Sequence, residues 1–367
     1  MKLHEILIGE RVVGTASRVF IVADVGMSHG GSVSLARKHI DAAADCGVDA
    51  VNFHIFRAEK MMIHPQHWTL HKDQGAESAY QAYHRLELHW EDYEELKKLA
   101  DARGLAYLPT PCDEESVDFL DSLGVAAFKI ASSDITHTPL LRHVSGKGKP
   151  ILLSTGMSYL SEVVDAIWTL KASGAKEILL LHCVSAYPAA PKTLNLRAIE
   201  TLRDYFQLPV GFSDHSPGIL MAPIAVALGA VVLEKHLALD RQSPCLEGEG
   251  SVDAEELRSL VRNLRTVESS LGDGRKRPSS VEEENRLVYR RSIVAAVDIR
   301  TYETIEPWML AFKRPGSGLE PRQFEKVIGM RARRNIPRDS ILRWEDLTPT
   351  SSPQTDVEPL TGSPGSA

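Results

Sequence analysis

The sequence predicts an α/β fold, a (β/α)8 TIM barrel followed by a small β-rich unit, and three observations lead there. Short apolar runs recur eight times with helical segments between them. Those runs end in polar, chemically capable residues rather than in turn residues alone. After residue 271 a charged stretch containing Gly and Pro marks a break, and the patterning changes beyond it.

The first element, Ile6 to Val13, reads as a small hairpin around Gly9. The strand-like runs are Val19 to Val25, Ala50 to Ile55, Leu105 to Leu108, Ala126 to Ile130, Ile151 to Ser154, Ile178 to Leu181, Pro209 to Phe212 and Ala230 to Leu233. They are short and partly β-branched, as strands buried on both faces are. Between them Leu35 to Ala44, Tyr93 to Ala102, Glu115 to Leu123 and Glu162 to Lys171 place apolar residues at three-and-four spacing among good helix formers. Eight such repeats read as a closed parallel barrel, whose chemistry sits at the C-terminal ends of the strands. Arg57 to Trp90 is too long for an ordinary connection and reads as a lid or acceptor-binding insertion. The helix Ala254 to Leu271 ends the barrel, assigned to residues 1–272. Residues 273–290 read as a linker, 291–349 as a small domain with short strands such as Ser292 to Ala296, and 350–367, rich in Pro, Ser, Thr and Gly, as a disordered tail.

At 367 residues and 43% hydrophobic content the chain can fill a large core. No apolar stretch approaches bilayer length, and Met1-Lys2-Leu3-His4-Glu5 lacks the basic-then-apolar order of a signal peptide, so a cytoplasmic protein without membrane contact is expected. Cys46, Cys112, Cys183 and Cys245 are widely separated, which indicates neither a disulfide framework nor a zinc ribbon. A formal net charge of -7 without a dense basic stripe argues against a nucleic-acid partner.

Two histidines stand out, His215 in Phe212-Ser213-Asp214-His215-Ser216 and His236 in Glu234-Lys235-His236. Each follows an apolar run where a strand gives way to a loop. Alternate residues of a strand share a face, so Glu234 points with His236 and Ser213 with His215. One end of the barrel then receives two imidazoles, a carboxylate and a hydroxyl, a set suited to a divalent metal. A single strand-end histidine is more often a hydrogen-bonded structural residue; the pair and its polar surroundings favour the metal.

These residues resemble the sialic acid synthase family, which includes N-acetylneuraminate, legionaminate and pseudaminate synthases and spore-coat polysaccharide synthases. The resemblance runs through Ile21-Val22-Ala23-Asp24-Val25-Gly26, His29-Gly30-Gly31, Pro109-Thr110-Pro111, Phe128-Lys129-Ile130-Ala131-Ser132, Ser154-Thr155-Gly156-Met157, Leu181-His182-Cys183 and the two histidine motifs. Lys313-Arg314-Pro315-Gly316 and Trp344-Glu345-Asp346-Leu347 are similar to the family's antifreeze-protein-like (SAF) domain. The resemblance implies condensation of phosphoenolpyruvate (PEP) with an amino-sugar aldehyde, giving a nonulosonic 2-keto acid and phosphate. It implies a divalent cation, Mn2+ or Mg2+, on His215 and His236 as Lewis acid. Glu234 and Asp24 then stand as catalytic carboxylates, and Thr110, Lys129, Ser132, Ser154, Ser213 and Tyr187 as the PEP site. It further implies a homodimer in which Arg314 of the small domain reaches the sugar in the neighbouring subunit.

The departures from the family pattern gather on the acceptor side. Asp24 stands for a glutamate, Asn52 for a lysine, His54 for a glutamine, Cys245-Leu246-Glu247 for a Gly-Pro-Asp element and His29-Gly30-Gly31 for His-Asn-Gly. Asn52, His54, Glu247 and Arg314 are therefore the expected acceptor contacts, with an altered acceptor as the consequence. Three other readings remain at this point: the same chemistry on a non-sialic aldehyde, a catalytically silent sugar-binding homologue, and a metal-independent aldolase with a Schiff base at Lys129.

Overall fold

The computed structural model describes residues 5–64, 79–239 and 250–350, and the chain divides after Asp273 into two compact units. In the first unit the eight apolar runs become eight parallel strands: β1 (Phe20–Gly26), β2 (Ala50–Ile55), β3 in two pieces (Ala106–Tyr107 and Thr110–Pro111), β4 (Phe128–Ile130), β5 (Ile151–Ser154), β6 (Ile178–Cys183), β7 (Val210–Asp214) and β8 (Val232–His236). Spatial order runs β3-β2-β1-β8-β7-β6-β5-β4. The Lys129 N–H donates to the Pro109 carbonyl (3.4 Å), which joins β4 back to β3. Helices α1 (Val33–Cys46), α2 (Trp90–Ala102), α3 (Glu114–Ser122), α4 (Thr138–Ser145), α5 (Leu160–Ala172), α6 (Ala198–Phe206), α7 (Met221–Ala227) and α8 (Ala254–Leu271) follow the strands in turn. This is the (β/α)8 barrel.

Helix boundaries follow local chemistry. The Ser32 side chain accepts from the Leu35 N–H to start α1, and Gly47, at φ 78°, ends it in the left-handed region that glycine enters without a Cβ clash. α8 opens on a reciprocal capping box between Asp253 and Glu256.

Strand alternation sorts the core into two parts. Ile21, Val51, Phe53, Phe128, Leu153, Leu180, Phe212 and Leu233 point outward into the layer shared with the helices. Phe20, Val22, Ala50, Leu108, Ala127, Leu152, Leu179, Leu181 and Val232 fill the barrel interior, where the hairpin residues Ile6, Ile8 and Val13 join them. One step further along each strand the inward positions turn polar, and that layer is the site.

Four details differ from expectation. β6, β7 and β8 run on to Cys183, Asp214 and His236 instead of stopping at Leu181, Phe212 and Leu233, because polar residues facing the barrel mouth still pair their main chains with neighbouring strands. β3 is interrupted at Leu108-Pro109, since proline cannot donate to the ladder. Part of the stretch read as linker is helical, Ser280–Tyr289, opened by a Ser279/Glu282 capping box. The Arg57 to Trp90 insertion carries short helices at Ala58–Met61 and Ala79–Leu86.

The second unit has its own core, built on Ile293, Ile299, Ile305, Met309, Val327, Ile336 and Leu342. Two small antiparallel pairs frame it, Ser292–Ala295 with Leu310–Lys313 and Arg331–Ala332 with Leu347–Thr348. Nearly all of the tail read as disordered lies outside the described residues. Among the described residues no helix is long and apolar enough to cross a membrane, and Cys46, Cys112 and Cys183 are free thiols.

Candidate active site

The polar layer draws on all eight strands. Register places Asp24 opposite Asn52 and His236, His54 opposite Thr110, and Ser213 opposite both Cys183 and Glu234. A small cavity of ≈ 40 Å³ lies among Asp24, His54, Lys129, Ser154, His215 and His236, with Ser132, Cys183, Tyr187 and Ser213 also on its wall.

Lys129 is its electrostatic centre. The ammonium Nζ lies 2.8 Å from Glu234 Oε1 and 3.3 Å from Asp24 Oδ2, and all three side chains are buried. Burial opposes the charge on Lys129, yet Glu234 and Asp24 outweigh it and hold the lysine protonated. Burial would raise Asp24, but Lys129 keeps that carboxyl well below the usual range, so it stays ionised. Burial pushes Glu234 up, against the pull of Lys129 and with the help of the Asp24 charge. One ammonium shared by two carboxylates leaves Glu234 the more readily protonated of the two.

Hydroxyls surround this triad. Ser213 Oγ donates to Glu234 Oε1 (2.7 Å), Thr110 Oγ1 donates to Asn52 Oδ1 (2.9 Å), and Ser132 and Ser185 share a hydrogen bond of 2.9 Å. Asn52 is fully buried directly opposite Asp24, and its side chain, together with the Lys129 charge, helps keep the Asp24 carboxyl ionised.

The histidines meet the requirements of metal ligands. Their ring centroids are 5.2 Å apart. His215 Nδ1 bonds the Val184 carbonyl at 2.8 Å, which fixes that nitrogen as the N–H and leaves the Nε2 lone pair facing Ser213 Oγ, 3.3 Å away. Burial lowers His215 and holds His236 down to about 3, so both imidazoles are neutral. Among the described residues no group of three or more His, Cys, Asp or Glu side chains forms a metal cage. Among the described residues the paired nitrogen ligands on offer at this end of the barrel are these two imidazoles. Tyr187 covers the mouth, its ring 4.4 Å from His215.

Buried neutral histidines make a pH prediction. Burial also holds His29 and His54 down to about 4 each. Their folded pKa lies below the unfolded value near 6.5, so the unfolded chain binds more protons in between. The stability they contribute is complete above pH 6.5 and is lost as the pH falls from there to about 4, at roughly 1.4 kcal/mol per pH unit for each histidine. Urea unfolding of His29→Gln should show a shallower loss over pH 6.5–4 than the unsubstituted protein. Equal slopes would show that His29 titrates normally.

The structure therefore brings Asp24, Asn52, His54, Thr110, Lys129, Ser132, Ser154, Tyr187, Ser213, His215, Glu234 and His236 to one end of the barrel. Glu247 lies outside the described residues. Arg314 belongs to the second unit, where its guanidinium stacks 5.5 Å from the Tyr289 ring. Two further residues belong here, Cys183 on the wall and Ser185 behind the wall residue Ser132. Cys183 shares the inward parity of Leu179 and Leu181 and was one strand step from being read, while Ser185 lies beyond the strand and carried no periodic signal.

Comparison with known proteins decides the family. The NeuB family profile matches residues 39–276 and the SAF domain profile residues 290–348. The chain belongs to the NeuB family. N,N'-diacetyllegionaminic acid synthase of Legionella pneumophila is 38% identical, over 91% of this chain and 96% of its own. Pseudaminic acid synthase of Campylobacter jejuni is 30% identical over 91% and 98%. The crystal structure of N-acetylneuraminic acid (sialic acid) synthetase from Leptospira borgpetersenii superposes with a TM-score of 0.71 at 32% identity, covering 77% of this chain and 95% of that one. As a NeuB-family member the protein is an enzyme of the sialic-acid-type synthase class.

Proposed function

We propose that this NeuB-family enzyme condenses PEP with the open-chain aldehyde of an amino sugar, giving a nonulosonic 2-keto acid and inorganic phosphate. The observation that carries this reading is the Lys129 ammonium between Asp24 and Glu234, walled by Ser132, Ser154 and Ser213 and faced by two neutral imidazoles. It combines an anion site with a proton-exchanging carboxylate. In the reaction C3 of the donor bonds to the aldehyde carbon, whose oxygen takes up a proton, and water then adds to C2. Glu234 accepts one proton of that water, and as the C2–O bond to phosphate breaks the remaining hydroxyl proton departs with the phosphate, leaving the ketone. Asp24, held ionised, orients the acceptor rather than protonating it. With a cavity of ≈ 40 Å³ beneath it, the Tyr187 ring must swing out for the donor to enter.

The charges support a bound cation. Lys129 is the one always-cationic side chain among the described lining residues, and Asp24 already balances it. A trianionic donor needs more positive charge than that. A divalent cation, Mn2+ or Mg2+, held by His215 and His236 supplies charge and Lewis acidity toward the aldehyde. We place Arg314 of a partner subunit on the acceptor side of a homodimer, since residues 274–350 carry 16 Lys and Arg against 11 Asp and Glu in a chain that is acidic overall. A Schiff base at Lys129 is disfavoured, because imine formation needs a depressed lysine pKa and the two carboxylates raise it.

Phosphate release from PEP with a panel of amino-sugar aldehydes, with and without chelator, tests the reading. No release with any aldehyde in the presence of Mn2+ or Mg2+ would leave a silent binding homologue. Lys129→Met should weaken PEP by about two orders of magnitude, ~3 kcal/mol, since a charge-assisted contact is lost and two buried carboxylates lose their counter-ion. Calorimetric titration reads this directly, and an unchanged Kd removes Lys129 from the donor site.

A further inference from the structure

We infer that the buried Asp214–Lys235 pair is a positioning device that fixes His215 and His236 against each other; this rests on the cation reading above. On β7 and β8 inward and outward residues alternate. Ser213, His215 and His236 line the cavity, with Glu234 bonded to Ser213 on the same face, while Asp214 and Lys235 lie between them on the other face, directly opposite across the ladder. Lys235 Nζ donates to Asp214 Oδ2 (3.1 Å) and to the Ser216 carbonyl. Asp214 Oδ1 accepts from the Ser216 N–H (2.9 Å) and from Ser216 Oγ (2.6 Å). The network thus holds both chain neighbours of His215 and ties them to the residue between Glu234 and His236.

Stability alone does not account for this pair. Both side chains are completely excluded from solvent, and desolvating two charges offsets most of their attraction, so an apolar pair of similar volume is often as stable or more so. An apolar pair cannot hold the Ser216 carbonyl or N–H. What the charges add is a fixed backbone on each side of His215, while the Val184 carbonyl fixes its ring. Both imidazoles are then presented at one spacing, and partners of metal-ligating residues that set such geometry alter metal affinity by roughly 10–100-fold when removed.

The test replaces the pair by apolar residues, Asp214→Leu with Lys235→Met, in the full-length protein. Thermal unfolding of the metal-free variant should occur at or above the original temperature, while calorimetric Mn2+ titration should show the Kd weakened ~10–100-fold. Imidazole 15N spectra should show His215 as a single Nδ1–H tautomer before substitution and as an averaged pair after it. Unaltered Mn2+ affinity with an unaltered His215 spectrum overturns the inference. If the unsubstituted protein binds no Mn2+, the cation reading fails on its own, and the His215 spectrum decides the positioning role: loss of the single tautomer supports it and its retention overturns it. Should the double variant fail to fold, Ser216→Ala removes one arm of the network, with a several-fold loss of Mn2+ affinity or a broadened His215 signal supporting the inference and no change in either overturning it.

Discussion

Alanine at both His215 and His236 should abolish cation binding and turnover together, with phosphate release falling by three orders of magnitude or more, about 4 kcal/mol in the barrier. The loss follows from geometry. His215 presents Nε2 because Nδ1 is committed to the Val184 carbonyl, and His236 is kept neutral by its burial. Among the described residues no cluster of three or more ligating side chains stands by to replace them. Water would take the place of each ring beside Tyr187 without supplying a ligand fixed to the chain. Metal-free protein titrated with Mn2+, followed by a phosphate assay after re-addition, separates loss of the ion from loss of the fold. A double variant that folds and releases phosphate at the unsubstituted rate refutes the assignment.

The histidines were legible because they stand where strand-like patterning gives way to polar residues, and period-two alternation was enough to put Glu234 with His236. The same rule reaches Cys183, but the apolar run itself stops at Leu181. In the structure His182 turns outward to the Leu194 carbonyl while the strand continues inward at Cys183. Asp214 and Lys235 were harder to read. Charged residues at a strand end suggest a solvated loop, and their partnership depends on the register between two strands 21 residues apart in sequence, which no local pattern encodes. The helix Ser280–Tyr289 did carry its signal, Ser279 three residues before Glu282, but the neighbouring Gly, Pro and basic residues outweighed it. Asn52 belongs to a similar class: its identity was plain, but its full burial against Thr110 and Asp24 depends on three strands coming together.

That burial sharpens the expectation for the acceptor. Asp24, Asn52 and His54 lie together, with the Asn52 side chain set between the Asp24 carboxyl and the Thr110 hydroxyl. An acceptor whose polar groups do not match this set of donors and acceptors leaves buried polar groups unpaired, a penalty of several kcal/mol. Relative to the family pattern, asparagine for lysine removes a cation, and aspartate for glutamate draws the carboxylate back by a methylene. N-acetylmannosamine should therefore be a poor acceptor, its kcat/KM below that of the native acceptor by on the order of a thousandfold. Asn52→Lys with Asp24→Glu and Glu247→Asp should raise kcat/KM for N-acetylmannosamine and lower it for the native acceptor, while the Kd for PEP, set by Lys129 and the serines, stays within a few-fold. The decisive measurement is kcat/KM of the unsubstituted enzyme on N-acetylmannosamine against a panel of amino-sugar aldehydes. If that sugar is already turned over as fast as any other, the changes at 24, 52, 54 and 247 are neutral and acceptor choice is set elsewhere.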